Sequence, residues 1–165
     1  MKWNELNIES VVSSGKKNGG TRFSFTDGEP VRFQIPTGRV LYGGLSEWKS
    51  LTIEVPPNFL AWWSSFENHL AAGLDPFTSN AKDNGLRIKI DPLTYFFDDQ
   101  KKSIFPDIEE GMLKGAVVSC IIEVSGIYYF QGKYGFTVRA YQVVIRKPTE
   151  EPVESTEQLS GFAFI

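Results

Sequence analysis

Hydrophobic and polar positions alternate through much of the chain. "VRFQI", the "LTIEV" of "WKSLTIEV" and "LRIKI" place apolar side chains at every second position, the pattern of a half-buried strand. "GAVVSCIIEVSGIYYF" and "YGFTVRAYQVVIRK" are longer runs, joined at Gln131-Gly132-Lys133, and predict a closing hairpin. "VRFQIPTGRVLYGGL" holds two β-rich runs with Pro36 and Gly38 between them, and a proline there marks an edge, a bulge or a turn. Near the middle the period changes. In "PNFLAWWSSFENHLAAG", Phe59, Trp62 or Trp63, Phe66 and Leu70 recur at helical spacing. Pro57 or Asn58 opens this helix, and Gly73 closes it in the left-handed conformation. "DPLTYFFDDQKKSIF" predicts a further hairpin with its turn at residues 98–102.

The flanks differ. Residues 1–28 are polar and rich in Gly and Ser, predicting a flexible N-terminal segment with a short strand near residues 21–25. Residues 29–147 carry the strands and the helix. Residues 148–165 form an acidic tail rich in Pro, Glu, Ser and Thr, ending in "GFAFI". The order of elements predicts a mainly β fold: an OB-like five-stranded barrel with one central helix and a long closing hairpin. A two-sheet sandwich is the alternative.

Composition narrows the function. At 165 residues and 41% hydrophobic content the chain fits one domain with a real core. The net charge of −3 conceals an asymmetry, because Glu150, Glu151, Glu154 and Glu157 all follow the last basic residue. Without them 17 basic residues face 16 acidic ones, too even a balance for a grip on polyanions by charge alone. Nucleic-acid binding would have to lean on stacking as well. Cys120 is alone in "VVSCIIEV" and reads as a buried thiol in a reducing compartment. With no secretory signal and no apolar run long enough to span a membrane, an intracellular protein is expected.

Catalytic chemistry finds little support. One His and one Cys fall short of the usual zinc ligand set, and His69 reads as a helix-surface residue with no third partner for a triad. Asp98-Asp99 and Glu109-Glu110 sit beside turn residues and face solvent. The glycine pairs match no phosphate-binding fingerprint. No enzyme activity, metal or cofactor is expected.

The closing hairpin is chemically unusual. From Gly126 to Lys147 it holds six aromatic and four basic residues and no Asp or Glu. Strand parity assigns Phe136, Val138 and Ala140 to the core, along with Tyr128 and Phe130. It assigns Tyr129, Thr137, Arg139 and Tyr141 to the outer face, where Arg and Tyr two apart suit a stacking platform. A second cluster, Arg39, Tyr42, Trp48 and Lys49, surrounds a glycine-rich turn. Arg87 and Lys89 share one strand face opposite Leu86, Ile88 and Ile90, while Trp62 and Trp63 read as core. Arg39, Lys49, Arg87, Lys89, Lys133 and Arg139 are thus candidates for phosphates. Tyr42, Trp48, Tyr129, Tyr134 and Tyr141 are candidates for bases.

The segment "IIEVSGIYYFQGKYGFTVRAYQVVI" resembles the final hairpin of OB-fold single-stranded DNA-binding proteins of large DNA viruses and phages. The resemblance rests on Gly126, Ile127, Tyr128, Tyr129, Gly132, Lys133, Tyr134, Gly135, Gln142 and Val143, and on Pro36, Tyr42 and Gly43 in the early "FQIPTGRVLYGGL". It covers about a third of the chain. It implies sequence-nonspecific binding of single-stranded DNA in replication or recombination, in the cytoplasm of an infected host cell. It also implies an acidic tail that recruits partner proteins or a second copy, here Glu150, Glu151, Glu154, Glu157, Phe162, Phe164 and Ile165. The tail departs from the family habit of a dense aspartate run and a terminal Phe. A non-enzymatic structural or protein-interaction role in a virion is the competing expectation.

Overall fold

A computed structural model describes residues 1–17, 20–44, 49–71, 73–100, 102–103, 113 and 115–146. In chain order the strands are β1 (Val11–Lys17), β2 (Gly20–Phe25), β3 (Arg32–Gln34), β4 (Gly38–Gly44) and β5 (Ser50–Glu54), then helix α1 (Pro57–Ala71). After it come β6 (Phe77–Thr78), β7 (Ala81–Lys82), β8 (Gly85–Lys89), β9 (Tyr95–Phe97), β10 (Val117–Phe130) and β11 (Lys133–Arg146). The alternating runs close on themselves: β4 pairs with β5, β5 with β8, β8 with β11, β11 with β10, and β10 returns to β4. The result is the expected OB-like, mainly β architecture, with a ring of five strands in place of two stacked sheets.

Alternation decides what the ring contains. Leu51 and Ile53, Leu86 and Ile88, Val118, Cys120, Ile122 and Val124, and Phe136, Val138 and Ala140 all point into one buried core. Helix α1 closes that core with Phe59, Trp63, Phe66 and Leu70, the stripe its 3.6-residue period dictates. Its rings pack edge to face with rings from the N-terminal third: Trp3 lies 5.2 Å from Phe59, and Phe33 lies 5.7 Å from Phe66. Gly73 follows the helix at φ +87°, as a left-handed stop requires. No described helix is long and apolar enough to cross a membrane.

The N-terminal segment departs from expectation. Trp3, Leu6, Val11 and Phe23 are buried in the main core, and β1 and β2 form a hairpin whose second strand pairs with β10 at Gly126 and Ile127. A few well-placed apolar residues therefore anchor a polar segment.

Two bulges break the parity of the closing strands. Ser125 is an extra residue in β10, between the pairs Val124–Val138 and Gly126–Thr137. Tyr141 is an extra residue in β11, between Ile122–Ala140 and Ile121–Gln142. Each bulge moves the residues beyond it to the other face and adds local twist.

Candidate nucleic-acid interface

β10 and β11 are 14 residues each, more than twice a typical strand of about 5–6 residues. The ring uses only their inner parts, so the far ends stand out as an arm. The arm turns at Gln131 and Gly132, with φ of +51° and +82°. A two-residue type I′ turn needs positive φ at both positions, and its twist matches that of the strands. Just before the turn, Tyr128, Tyr129 and Phe130 are 52%, 59% and 65% exposed. The parity expectation put Tyr128 and Phe130 in the core. The Ser125 bulge reverses that parity, and none of these three residues belongs to the main core or packs against it.

The arm and the outer surface of β5 and β8 border an open groove of about 650 Å³. Tyr128, Tyr129 and Phe130 of the arm line it. Arg87 and Lys89 of β8 line it too, with Ser50, Asn80, Phe136, Thr137 and Val138. Arg87 and Lys89 share a face because they are two apart on β8, where Leu86 and Ile88 point inward. Asn80 is tied to β8 in both directions: Arg87 N–H donates to its carbonyl at 2.8 Å, and its Nδ2 donates to the Arg87 carbonyl at 3.1 Å. Buried Glu67 on α1 holds this segment by accepting from Ser79 Oγ at 2.5 Å and from Asn80 N–H at 2.9 Å. Burial raises the Glu67 carboxyl above its ordinary value, and the two hydrogen bonds partly oppose that shift.

The remaining candidates divide. Lys133 is exposed at the start of β11, opposite Phe130, and Lys49 is exposed next to Ser50. Tyr134 is half-buried, its ring edge to face with Tyr129 at 5.0 Å. Arg39 lies at the other end of the β4–β5 pair, next to Val40–Ile53, and does not line the groove. Trp48, the side chain of Tyr42 and tail residues 148–165 lie outside the described residues.

Arg139 and Tyr141 do not form an outer platform. Tyr141 is 8% exposed and packs with Phe97, Ile121 and Val144 in a second apolar cluster on the other face of the hairpin. The Arg32 guanidinium lies 4.0 Å from its ring centre, a cation–π contact. Arg139 donates to both Asp91 carboxylate oxygens, at 2.6 and 3.0 Å, and to Glu123 at 3.4 Å. Glu123 also accepts from Arg32 at 2.8 Å. These charges are spent on one another.

Arg139's hydrogen bonds hold the Asp91 carboxyl below its ordinary value of 3.8. A carboxyl lowered on folding stabilises the protein above its unfolded pKa, and that stability is lost as pH falls through the folded value. Arg139→Met is therefore expected to lower the urea midpoint at pH 7, and the gap to wild type should narrow below about pH 4. A gap that stays constant from pH 7 to pH 2 would remove Asp91 from this role.

No protein-family model matches the chain, and no curated protein does. Solved structures do. The fold is that of phage single-stranded DNA-binding proteins. The chain is similar to the single-stranded DNA-binding protein of bacteriophage Enc34, with a TM-score of 0.57 and 12% identity over 94% of this chain and 99% of that one. Against a C-terminal truncation of that protein the TM-score is 0.55, with 14% identity over 88% and 99%. Against its complex with single-stranded DNA the TM-score is 0.50, with 12% identity over 87% and 98%. These likenesses agree with the hairpin resemblance and extend it from a third of the chain to nearly all of it.

Sequence reasoning missed Tyr128, Phe130, Ser50 and Asn80 as groove residues. One signal was available: a 14-residue strand is too long to lie wholly over a five-stranded ring, so its tip must overhang.

Proposed function

We propose that the protein binds single-stranded DNA without marked sequence preference and without chemistry. One observation carries this: the exposed aromatic residues Tyr128, Tyr129 and Phe130 of the arm line the same open groove as Arg87 and Lys89. Rings offer a stacking surface to any base, and cations in the same groove meet the phosphates of the same strand. OB folds bind oligonucleotides on the same part of the ring, the second and third strands and the loop between the last two. Here these are β5, β8 and the turn at Gln131-Gly132. A solved structure of similar fold was determined with single-stranded DNA, which supports DNA as the ligand.

The protein would cover or organise single strands during replication or recombination of a phage or virus, inside the infected cell. The tail, with Glu150, Glu151, Glu154 and Glu157 followed by Phe162, Phe164 and Ile165, would recruit partner proteins or a second copy.

The test is a titration of labelled oligo-dT, duplex DNA and RNA of equal length across a range of salt. Arg87, Lys89 and Lys133, with Lys49 nearby, neutralise three or four phosphates. The logarithm of affinity should then fall with that of salt at a slope of about −2 to −3, at about −0.7 per phosphate. A chain ending at Thr149 should bind more tightly at low salt, with the gain fading as salt rises. No binding to oligo-dT at low salt, or equal binding to duplex, would sink the proposal.

A further inference from the structure

Tyr128 and Gly135 stand directly opposite each other on β10 and β11. A Cβ placed on Gly135 would lie 2.4 Å from Tyr128 Cζ, 2.5 Å from its hydroxyl oxygen and 2.9 Å from Cε2. The distal edge of the ring therefore occupies the space that a side chain at 135 would fill. Tyr128 is nonetheless 52% exposed and lines the groove, so the ring rests on the strand on one side and is open on the other. Gly135 needs no left-handed conformation here, being absent from the positive-φ positions; what its position requires is empty space. β6 pairs alongside at Gly135–Thr78, and Tyr134 N–H donates to the Pro76 carbonyl at 3.0 Å, so the backbone beneath the ring is fixed. A ring lying across a cross-strand glycine is a known way to stabilise a strand pair.

We infer that Gly135 is a positioning residue for base stacking: the seat that holds the Tyr128 ring as the fixed jaw of the groove that Arg87 and Lys89 also line. This deepens the proposed single-strand binding and rests on it. Most of the entropy of ordering Tyr128 is met by its seat before a base arrives, so stacking costs less than on a free ring. The three atoms nearest a methyl group at 135 all belong to the far end of the flexible Tyr128 side chain, which can swing away. The substitution should therefore disturb the jaw and leave the fold intact.

The experiment is a double-mutant cycle on the full chain with oligo-dT at low salt, each variant also unfolded in urea. Tyr128→Ala should weaken binding about 5- to 150-fold, the range for one stacked base. Gly135→Ala should weaken it by at least about threefold, with its urea midpoint close to wild type. In the Tyr128→Ala background, Gly135→Ala should cost nothing further, because the seat acts only through the ring. Tyr128→Phe should keep wild-type affinity. Independently of DNA, the Gly135 Hα resonances of the wild type should be displaced by the tyrosine ring current and return to ordinary values in Tyr128→Ala. If Gly135→Ala binds like wild type, or weakens binding equally without Tyr128, or the Hα displacement is absent, the seat is refuted while single-strand binding stands. If wild type itself ignores oligo-dT, both fail together.

Discussion

Tyr141→Ala is expected to destabilise the protein by about 3–5 kcal/mol and to leave the DNA affinity of the folded molecules unchanged. The ring is 8% exposed among Phe97, Ile121 and Val144, with Tyr95 edge to face at 5.8 Å. Truncating a buried aromatic to alanine removes its transfer energy and leaves a cavity, which together cost about 3–5 kcal/mol. Loss of the Arg32 contact adds to this. Tyr141 is also the extra residue of the β11 bulge, so the change falls where the strand switches faces. Urea unfolding and an oligo-dT titration decide the matter. Unchanged stability with lost binding would make Tyr141 the outward platform that simple alternation suggests.

The opposite result is expected at the arm. Replacing Tyr128, Tyr129 and Phe130 together by serine should weaken single-strand binding by about 2–5 kcal/mol, as expected if two of the rings stack on bases. Stability should change by no more than about 1 kcal/mol, because all three rings are more than half exposed and make no core. The comparison with Tyr141→Ala separates rings that hold the protein from rings that hold a ligand. Should the triple variant bind as wild type does, the groove is not where strands bind. If it unfolds, the arm is part of the stable fold.

Much of the fold was legible because burial and periodicity coincide there. Leu86, Ile88 and Ile90 face inward opposite Arg87 and Lys89, as alternation requires, and Phe59, Trp63, Phe66 and Leu70 line one side of α1. The errors of facing arise at the Ser125 bulge. An inserted residue leaves no mark on composition but inverts everything beyond it, so Tyr128 and Phe130 were sorted inward. Tyr141 does face away from the main core, but Phe97, Ile121 and Val144 bury it there, and no alternation within β11 announces that cover. Arg139 was misread for another reason. A cation on an outer strand face looks available until its partner is known, and Asp91 lies 48 residues away in sequence. Trp3 and Leu6 were missed because an isolated apolar residue in a polar segment has no period to betray it. In the groove, the basic residues were legible and the aromatic ones only half legible.

Ring closure also bears on when the protein becomes competent. β4 meets β10 through Gly38–Val118 and Arg39–Val117, a span of about half the chain, and β8 joins β11 in parallel through Lys89–Arg139. Pairings so distant in sequence carry a large loop-closure cost and place such folds among slower folders. During synthesis the basic surface of β5 and β8 leaves the ribosome well before the aromatic arm, and neither alone makes a groove. An unfinished chain therefore carries cations without a stacking surface, too few to hold a strand at cellular salt. On the proposed function, binding would switch on only when the last hairpin docks, and incomplete copies would not compete with finished ones for single strands.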